Sequence, residues 1–390
     1  MSCYVSSTNN RFYVGLEENF GAVSAVTENN RIPAVRLDAT QRSAVQMRKD
    51  KTGSRTFAGL PSGIRRNTEF ALETFLTTWP DPTRQPCHGP LFQAAMGAAP
   101  RFFSGGTAVF VSGVELVFAE LHALTAGQAV TAGSELRFVA AVNSPIGVTL
   151  NAPFSAGVLQ PGGSVGATVT YALANELGSV SILDYWDPVS AVQRALSGAA
   201  VDKMRIRVNG DFHEFRFSGP ARDLIDSASF EAGQAGLSEY PAEPAQLGFD
   251  YTIVPGHIGQ VWIGTGPTQF FSLTEAEITL NNNIETRTRE FGSDLARCLS
   301  AGEREVTVNF SVFERQDAAT KELYQAARQR SPLPVMFQLG KQPGQMFGVH
   351  MNGVIPEVPE FKDDESRLEW KFTGNRAQGA INDELYIAFG

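Results

Sequence analysis

The chain has 390 residues, 43% of them hydrophobic, with a formal net charge of −9 and a pI near 5.2. That is enough chain for two or three domains with sizeable cores, and too acidic to wrap nucleic acid on a basic surface, which needs clustered Lys and Arg. No apolar stretch approaches the ~18 residues of a membrane span, and MSCYVSSTNNRFYVG has neither the basic nor the apolar region of a secretory signal. Cys3, Cys87 and Cys298 are widely spaced and odd in number, which suggests no disulfide framework. The expectation is a chain made and folded in a reducing cytoplasm.

In chain order, AVRLDATQRSAVQMRKDKTGSRTFAGLPSGIRRN (34–67) reads as a strand running into a long Arg-rich excursion, and TEFALETFL (68–76) as its return. GPLFQAAMG (89–97) reads as a short helix. From Phe103 to Leu173 the chain is rich in Gly, Ala, Val and Ser, with strand candidates VFVSGVELVFA, LRFVAAV and GATVTYAL between glycine-rich turns. This stretch reads as a small all-β insertion or an elaborated surface loop. GSVSILDYW (178–186), KMRIRVNG (203–210) and DFHEFRFSG (211–219) read as strands. Between the first two, DPVSAVQRALSG (187–198) predicts a helix, with Asp at its N-cap, Pro at its first position and Gly at its end.

The last third repeats this order. EITLNNNIETRTREFGSDLARCLSAGERE (277–305) is a strand with a second long excursion, and EVTVNFSVF (305–313) alternates apolar and polar residues as a half-buried strand does. DAATKELYQAARQRSP predicts a helix from an N-cap at Asp317 to a stop at Ser331-Pro332. Strands follow at 333–340, 345–351 and 366–372, and DELYIAFG closes the sequence. The matching element order and the matching excursions predict an internal duplication. The first domain then spans 1–102 and 174–245, the insertion 103–173 and the second domain 246–390. Because the insertion lies outside the duplicated plan, its deletion is expected to leave assembly intact.

Motifs of catalysis and metal binding do not emerge. His88, His122, His213, His257 and His350 show no ligand spacing. Cys87-His88 is the one Cys/His neighbour pair, and adjacent residues rarely aim at one point. GTGPTQ (264–269) and GGSVGA (162–167) match no phosphate cradle and read as turns. Glu357, Glu360, Asp363, Asp364 and Glu365 form an acidic, Pro-rich loop, read as solvated. No catalytic residue, cofactor or metal is expected, and the prior moves toward assembly or binding.

The segments ITLNNNIETRTREFGS, AGEREVTVNFSVF, ATKELYQAARQR and INDELYIAF, together with GAAVDKMRIRVNGDFHEFRFSGPARDLIDSASF (198–230), resemble the tail tube protein family of long-tailed bacteriophages. The Gly-rich insertion resembles one carried by larger members, and the likeness covers most of the chain from about Phe12. It implies a mainly β fold: tandem tube β-sandwiches flanked by short helices, in rings that stack into a hollow tube within the virion tail. With two tube domains per chain, three chains would supply a pseudo-sixfold ring. The implied partners are other copies of the chain, a tape measure protein in the lumen, and tail terminator and distal tail proteins at the ends. Genomic DNA would pass through without specific binding, and the acidic chain suits an acidic lumen. The excursions would be inter-ring arms rather than mobile surface loops, with Arg42, Arg48, Lys49 and Arg55 on the first and Glu285, Arg287, Arg289, Glu290, Asp294 and Arg297 on the second as contact candidates. Two alternatives stand beside the tube subunit: a tail-tip hub or distal tail protein forming a single ring, and a carbohydrate-binding β-sandwich, which an exposed Trp would support.

Overall fold

The computed structural model describes residues 4–43, 51, 53–56, 59, 65–208, 211–246, 251–264, 273–287, 291–315, 318–363 and 366–390. The fold is mainly β, with two α-helices among the described residues. Among the described residues no helix is long and apolar enough to cross a membrane.

Sixteen strands follow one scheme twice. The first eight are β1 (Asn10–Leu16), β2 (Ala34–Ser43), β3 (Arg66–Phe75), β4 (Val180–Trp186), β5 (Arg194–Ala199), β6 (Lys203–Val208), β7 (Glu214–Ala221) and β8 (Asp223–Asp226), with helix α1 (Gly89–Met96) after β3. The second eight are β9 (Gly259–Ile263), β10 (Leu273–Asn281), β11 (Glu305–Phe313), β12 (Leu333–Leu339), β13 (Phe347–Ile355), β14 (Glu360–Lys362), β15 (Glu369–Gln378) and β16 (Tyr386–Phe389), with α2 (Ala318–Gln329) after β11.

In the first half β1 pairs β4, β4 pairs β5 and β5 pairs β8, while β2 pairs β3, β3 pairs β7 and β7 pairs β6. In the second half β9 pairs β12, β12 pairs β13 and β13 pairs β16, while β10 pairs β11, β11 pairs β15 and β15 pairs β14. Every strand's counterpart lies eight strands later, and all these ladders are antiparallel. Each half is thus an inner sheet and an outer sheet. The buried residues of β3, Thr68, Phe70, Leu72 and Thr74, alternate with polar Asn67, Glu69 and Glu73, which is how one face of a strand enters a core while the other stays wet.

The halves share a core. Phe92 of α1 lies with its ring centroid 5.3 Å from both Phe215 and Phe217 of β7, 5.8 Å from Phe347 of β13 and 5.7 Å from Phe389 of β16. α1 is therefore buried nearly all round, whereas α2 buries only Thr320, Leu323, Ala326 and Ala327, one stripe of an amphipathic helix.

Two sequence expectations are corrected here. Residues 187–193 form no helix, and 194–199 are strand β5, lying between β4 and β8. The spacing of Ala195, Leu196 and Ala199 fits a buried strand once neighbours exist on both sides, while a helix would have to bury Val189 and Val192, which are 84% and 51% exposed. Gly198, expected to end that helix, instead sits at φ 60 within the strand, where a Cβ would fall 2.7 Å from Arg222 and 2.8 Å from Phe20. The Asp317 cap lies outside the described residues.

The second correction concerns deletion of the Gly-rich stretch. Its own six-stranded sheet is built from strands at 106–112, 115–118, 129–132, 135–144, 147–150 and 164–165, around Leu116, Phe118, Val130, Val139, Val148 and Leu150. Residues 168–172, however, pair with β16 on one side and with 101–103 on the other, placing Val169 and Tyr171 in the shared core. Removing 103–173 would strip the edge of the main sheet.

The six-stranded sheet is docked on the outer sheet of the second half. Arg137 is fully buried, bonds Glu135 at 2.5 Å, donates to the Pro153 and Leu136 carbonyls at 2.9 and 2.8 Å, and stacks 4.2 Å from the ring centroid of Trp262. The Gln338 side chain accepts from Leu136 N and donates to Ser134 O, both at 2.8 Å. The first half's outer sheet is covered instead by the segment before residue 247, where Glu243 binds Arg11 and Tyr185 Oη donates to Pro241 O at 3.1 Å.

Candidate assembly interface

The inner sheets of the two halves are continuous. β6 pairs β10 over six residues, from Lys203 opposite Asn281 to Val208 opposite Ala276. Eight strands therefore lie side by side in the order β2-β3-β7-β6-β10-β11-β15-β14. One face of this belt is the core. The other carries Glu69, Glu73, Glu214, Arg216, Lys203, Arg205, Arg207, Glu275, Glu277, Thr307, Asn309 and Lys371, because charged residues alternate with apolar ones along each strand.

These charges pair across strands. Arg216 meets Glu73 at 3.1 Å, Arg207 lies 3.9 Å from Glu214, and Arg205 binds Glu277 across the junction between the halves. Such half-exposed pairs contribute little stability, typically under about 1 kcal/mol each, but like charges facing one another in a ladder are unfavourable, so they favour one register. Acids and bases are balanced on this face.

Both ends of the belt are unpaired edges. β2 has β3 as its only ladder partner and β14 has only β15, among the described residues. Exposed apolar side chains mark both ends: Val35 is 56% exposed at one, and Val358 and Phe361 are 46% and 55% exposed at the other. Open strands of this kind are templates for pairing with another chain.

The excursions leave from the ends of β2 and β10. Of the predicted contact residues, Arg42 is exposed at the end of β2 opposite Asn67, and Arg55 is exposed. Glu285 is exposed in a short ladder with Ser300, Arg287 N donates to Cys298 O at 3.3 Å, and an Arg297 Nη donates to Gly292 O at 3.4 Å. Asp294 is not free: Arg66 N donates to its carbonyl at 2.9 Å and the Arg66 guanidinium to its carboxylate at 3.0 Å, tying the second excursion to the base of the first. Arg48, Lys49, Arg289 and Glu290 lie outside the described residues.

Sequence reasoning missed Arg66, Arg205, Arg207 and Glu277. A signal was present in KMRIRV and TEAEIT, where bases alternate with apolar residues in one strand and acids in the other, a complementarity that matters only once the two are neighbours.

The Cys87-His88 pair does converge: Cys87 Sγ lies 3.3 Å from His88 Nδ1, beside a cleft of about 510 Å3 lined by Trp79, Arg84, Gln85 and Tyr251. Burial pushes the thiol up to about 12 and the imidazole down to about 4, so both are neutral near pH 7 and no thiolate–imidazolium pair forms. His88 is instead a core residue, hydrogen-bonded to Phe75 O at 3.1 Å and edge-on to Phe215.

Compared with known proteins, the chain matches no family model, and no curated sequence is significantly similar to it.

Proposed function

We propose that this chain is the structural subunit of a phage tail tube. The observation that carries the reading is the junction between its halves: two copies of one pairing scheme join edge to edge through β6 and β10, and the equivalent edges, β14 and β2, stay open. A unit that already contains one such junction and ends in the two edges of another is built to repeat around an axis. The outer sheets, the helices and the docked insertion all lie on the core side of the belt. That bulk belongs at larger radius, so the wet, charge-balanced face turns toward the axis.

Three chains would close a belt of eight strands each. At ~4.8 Å per strand and a tilt of ~40°, such a barrel is about 50 Å across between backbones, leaving a channel of about 35 Å inside the side chains. Six chains would roughly double it. A lining of Arg–Glu pairs satisfies its own charges and offers DNA phosphates no cluster of free cations, which suits passage without binding. A tape measure protein in the lumen, terminator and distal tail proteins at the ends, and a place in the virion tail belong to the same proposal. A glycan-binding sandwich gains little support from tryptophan, since Trp79, Trp262 and Trp370 are buried and Trp186, at the end of β4, is half-buried.

Negative-stain electron microscopy at rising concentration tests the reading. Hollow filaments whose end views average to threefold, pseudo-sixfold symmetry are expected. Rings that never stack would replace the tube by a tail-tip hub, and a protein that stays monomeric with purified terminator or distal tail partners present would overturn the ring altogether.

A further inference from the structure

The repeated scheme fixes more than which edges meet. The register within each half is shared: Phe75 lies opposite Glu214 and Leu72 opposite Phe217, while Phe313 lies opposite Glu369 and Phe310 opposite Phe372. Stepping across the next ladder, Arg207 opposes Glu214 and Lys362 opposes Glu369, so Lys362 is the counterpart of Arg207. On the other side Leu37 opposes Leu72 and Ala276 opposes Phe310, which makes Asp38 the counterpart of Glu277.

Resting on the ring reading above, we infer that β14 of one chain pairs antiparallel with β2 of a second copy in one register, with Lys362 opposite Asp38, Phe361 opposite Ala39 and Glu360 opposite Thr40. This copies the internal junction, where Arg207 faces Glu277, Ile206 faces Ile278 and Arg205 faces Thr279.

The chemistry of the two edges fits that register. Lys362 and Asp38 place a base opposite an acid at the register positions of Arg207 and Glu277, while the junction's bonded pair, Arg205 with Glu277, is replaced at the new joint by the diagonal of Glu360 and Arg42. Phe361, more than half exposed in the single chain, meets Ala39, where the small side chain leaves room for the ring. Glu360 falls diagonally across from Arg42, within reach of a long side chain, giving the exposed Arg42 a partner. Asp38, now bonded to Arg36 at 2.8 Å on its own strand, would exchange an exposed pair for a cross-strand one. Pro359 precedes β14 and lacks an N–H, limiting the described ladder to Glu360–Lys362 against the six residue pairs of the internal junction. The inter-chain joint is then the weaker of the two, as assembly from soluble subunits requires, and indiscriminate pairing along a long edge is avoided.

The test is cysteine cross-linking combined with charge reversal on the full chain. With Asp38→Cys and Lys362→Cys together, mild oxidation of assembled material should give a covalent ladder ending in a closed oligomer. Thr40→Cys with Lys362→Cys, two residues out of register, should link at least tenfold more slowly. Lys362→Asp alone should raise the critical concentration for assembly roughly fivefold by facing Asp38 with a like charge, and Asp38→Lys in the same chain should restore it. Rings that form but link faster out of register overturn the register. Rings that link in neither pair overturn the choice of edges while leaving the tube reading intact. Only the absence of rings from every preparation, wild type included, counts against the tube reading itself.

Discussion

Replacing Arg137 by Met should cost about 3–5 kcal/mol, the usual penalty for removing one partner of a buried ion pair. Arg137 and Glu135 are 0% and 2% exposed, and the Glu135 carboxylate also accepts the Ser155 N–H at 2.9 Å. The Met side chain fills most of the space over Trp262, so the loss is electrostatic more than a cavity. Adding Glu135→Gln removes the stranded charge and should return stability to within about 1–2 kcal/mol of wild type, a coupling energy of at least about 2 kcal/mol. Urea unfolding followed by tryptophan fluorescence measures this, with Trp262 reporting from the interface itself. The reasoning fails if Arg137→Met costs under about 1 kcal/mol, or if the double variant equals the sum of the singles. Either result would mean that water reaches this pair and that the insertion is not seated through it.

Two further predictions concern the core and the close approach of strands. His88, His213 and His350 are all held near pKa 4 by burial, below the ~6.5 of the unfolded chain. Because the folded values are depressed, the stability they contribute is complete above about pH 6.5 and is lost as pH falls through about 4, at up to roughly 1.4 kcal/mol per pH unit for each histidine. The urea midpoint should therefore drop steeply between pH 6.5 and 4, and His350→Phe should flatten that slope by close to one proton; an unchanged slope would show that His350 is solvated. Gly219 lies where β7 passes the end of β5, and a Cβ there would fall 2.1 Å from Ala200 O and 2.7 Å from Asp202 N, both backbone atoms. Gly219→Ala should cost at least about 2 kcal/mol in the same assay, whereas Gly374→Ala, with open space around it, should cost less, about 1–2 kcal/mol from its left-handed φ of 75 alone.

The sequence by itself determined what is local. Alternation in EVTVNFSVF and TEFALETFL marked β11 and β3, because a half-buried strand must alternate. Helix α2 was legible from the four-residue spacing of Leu323 and Ala327, and the twofold order of strands, excursion and helix was visible without any structure. The tertiary structure decided whatever depends on neighbours distant in the chain. Residues 194–199 became strand β5 only because β4 and β8 flank them, since a short run rich in alanine fits a helix or a strand equally well. GATVTYAL joined the main sheet and not the insertion because β16, more than two hundred residues later, offers it an edge. The charges of KMRIRV acquire their meaning from Glu277 across the junction. The acidic net charge gave no hint of a balanced face, for it sums over the surface while a sheet sorts its charges by side. Pairing register is a contact between separate strands, fixed by which side chains face each other across the gap. No periodicity within a single strand encodes it.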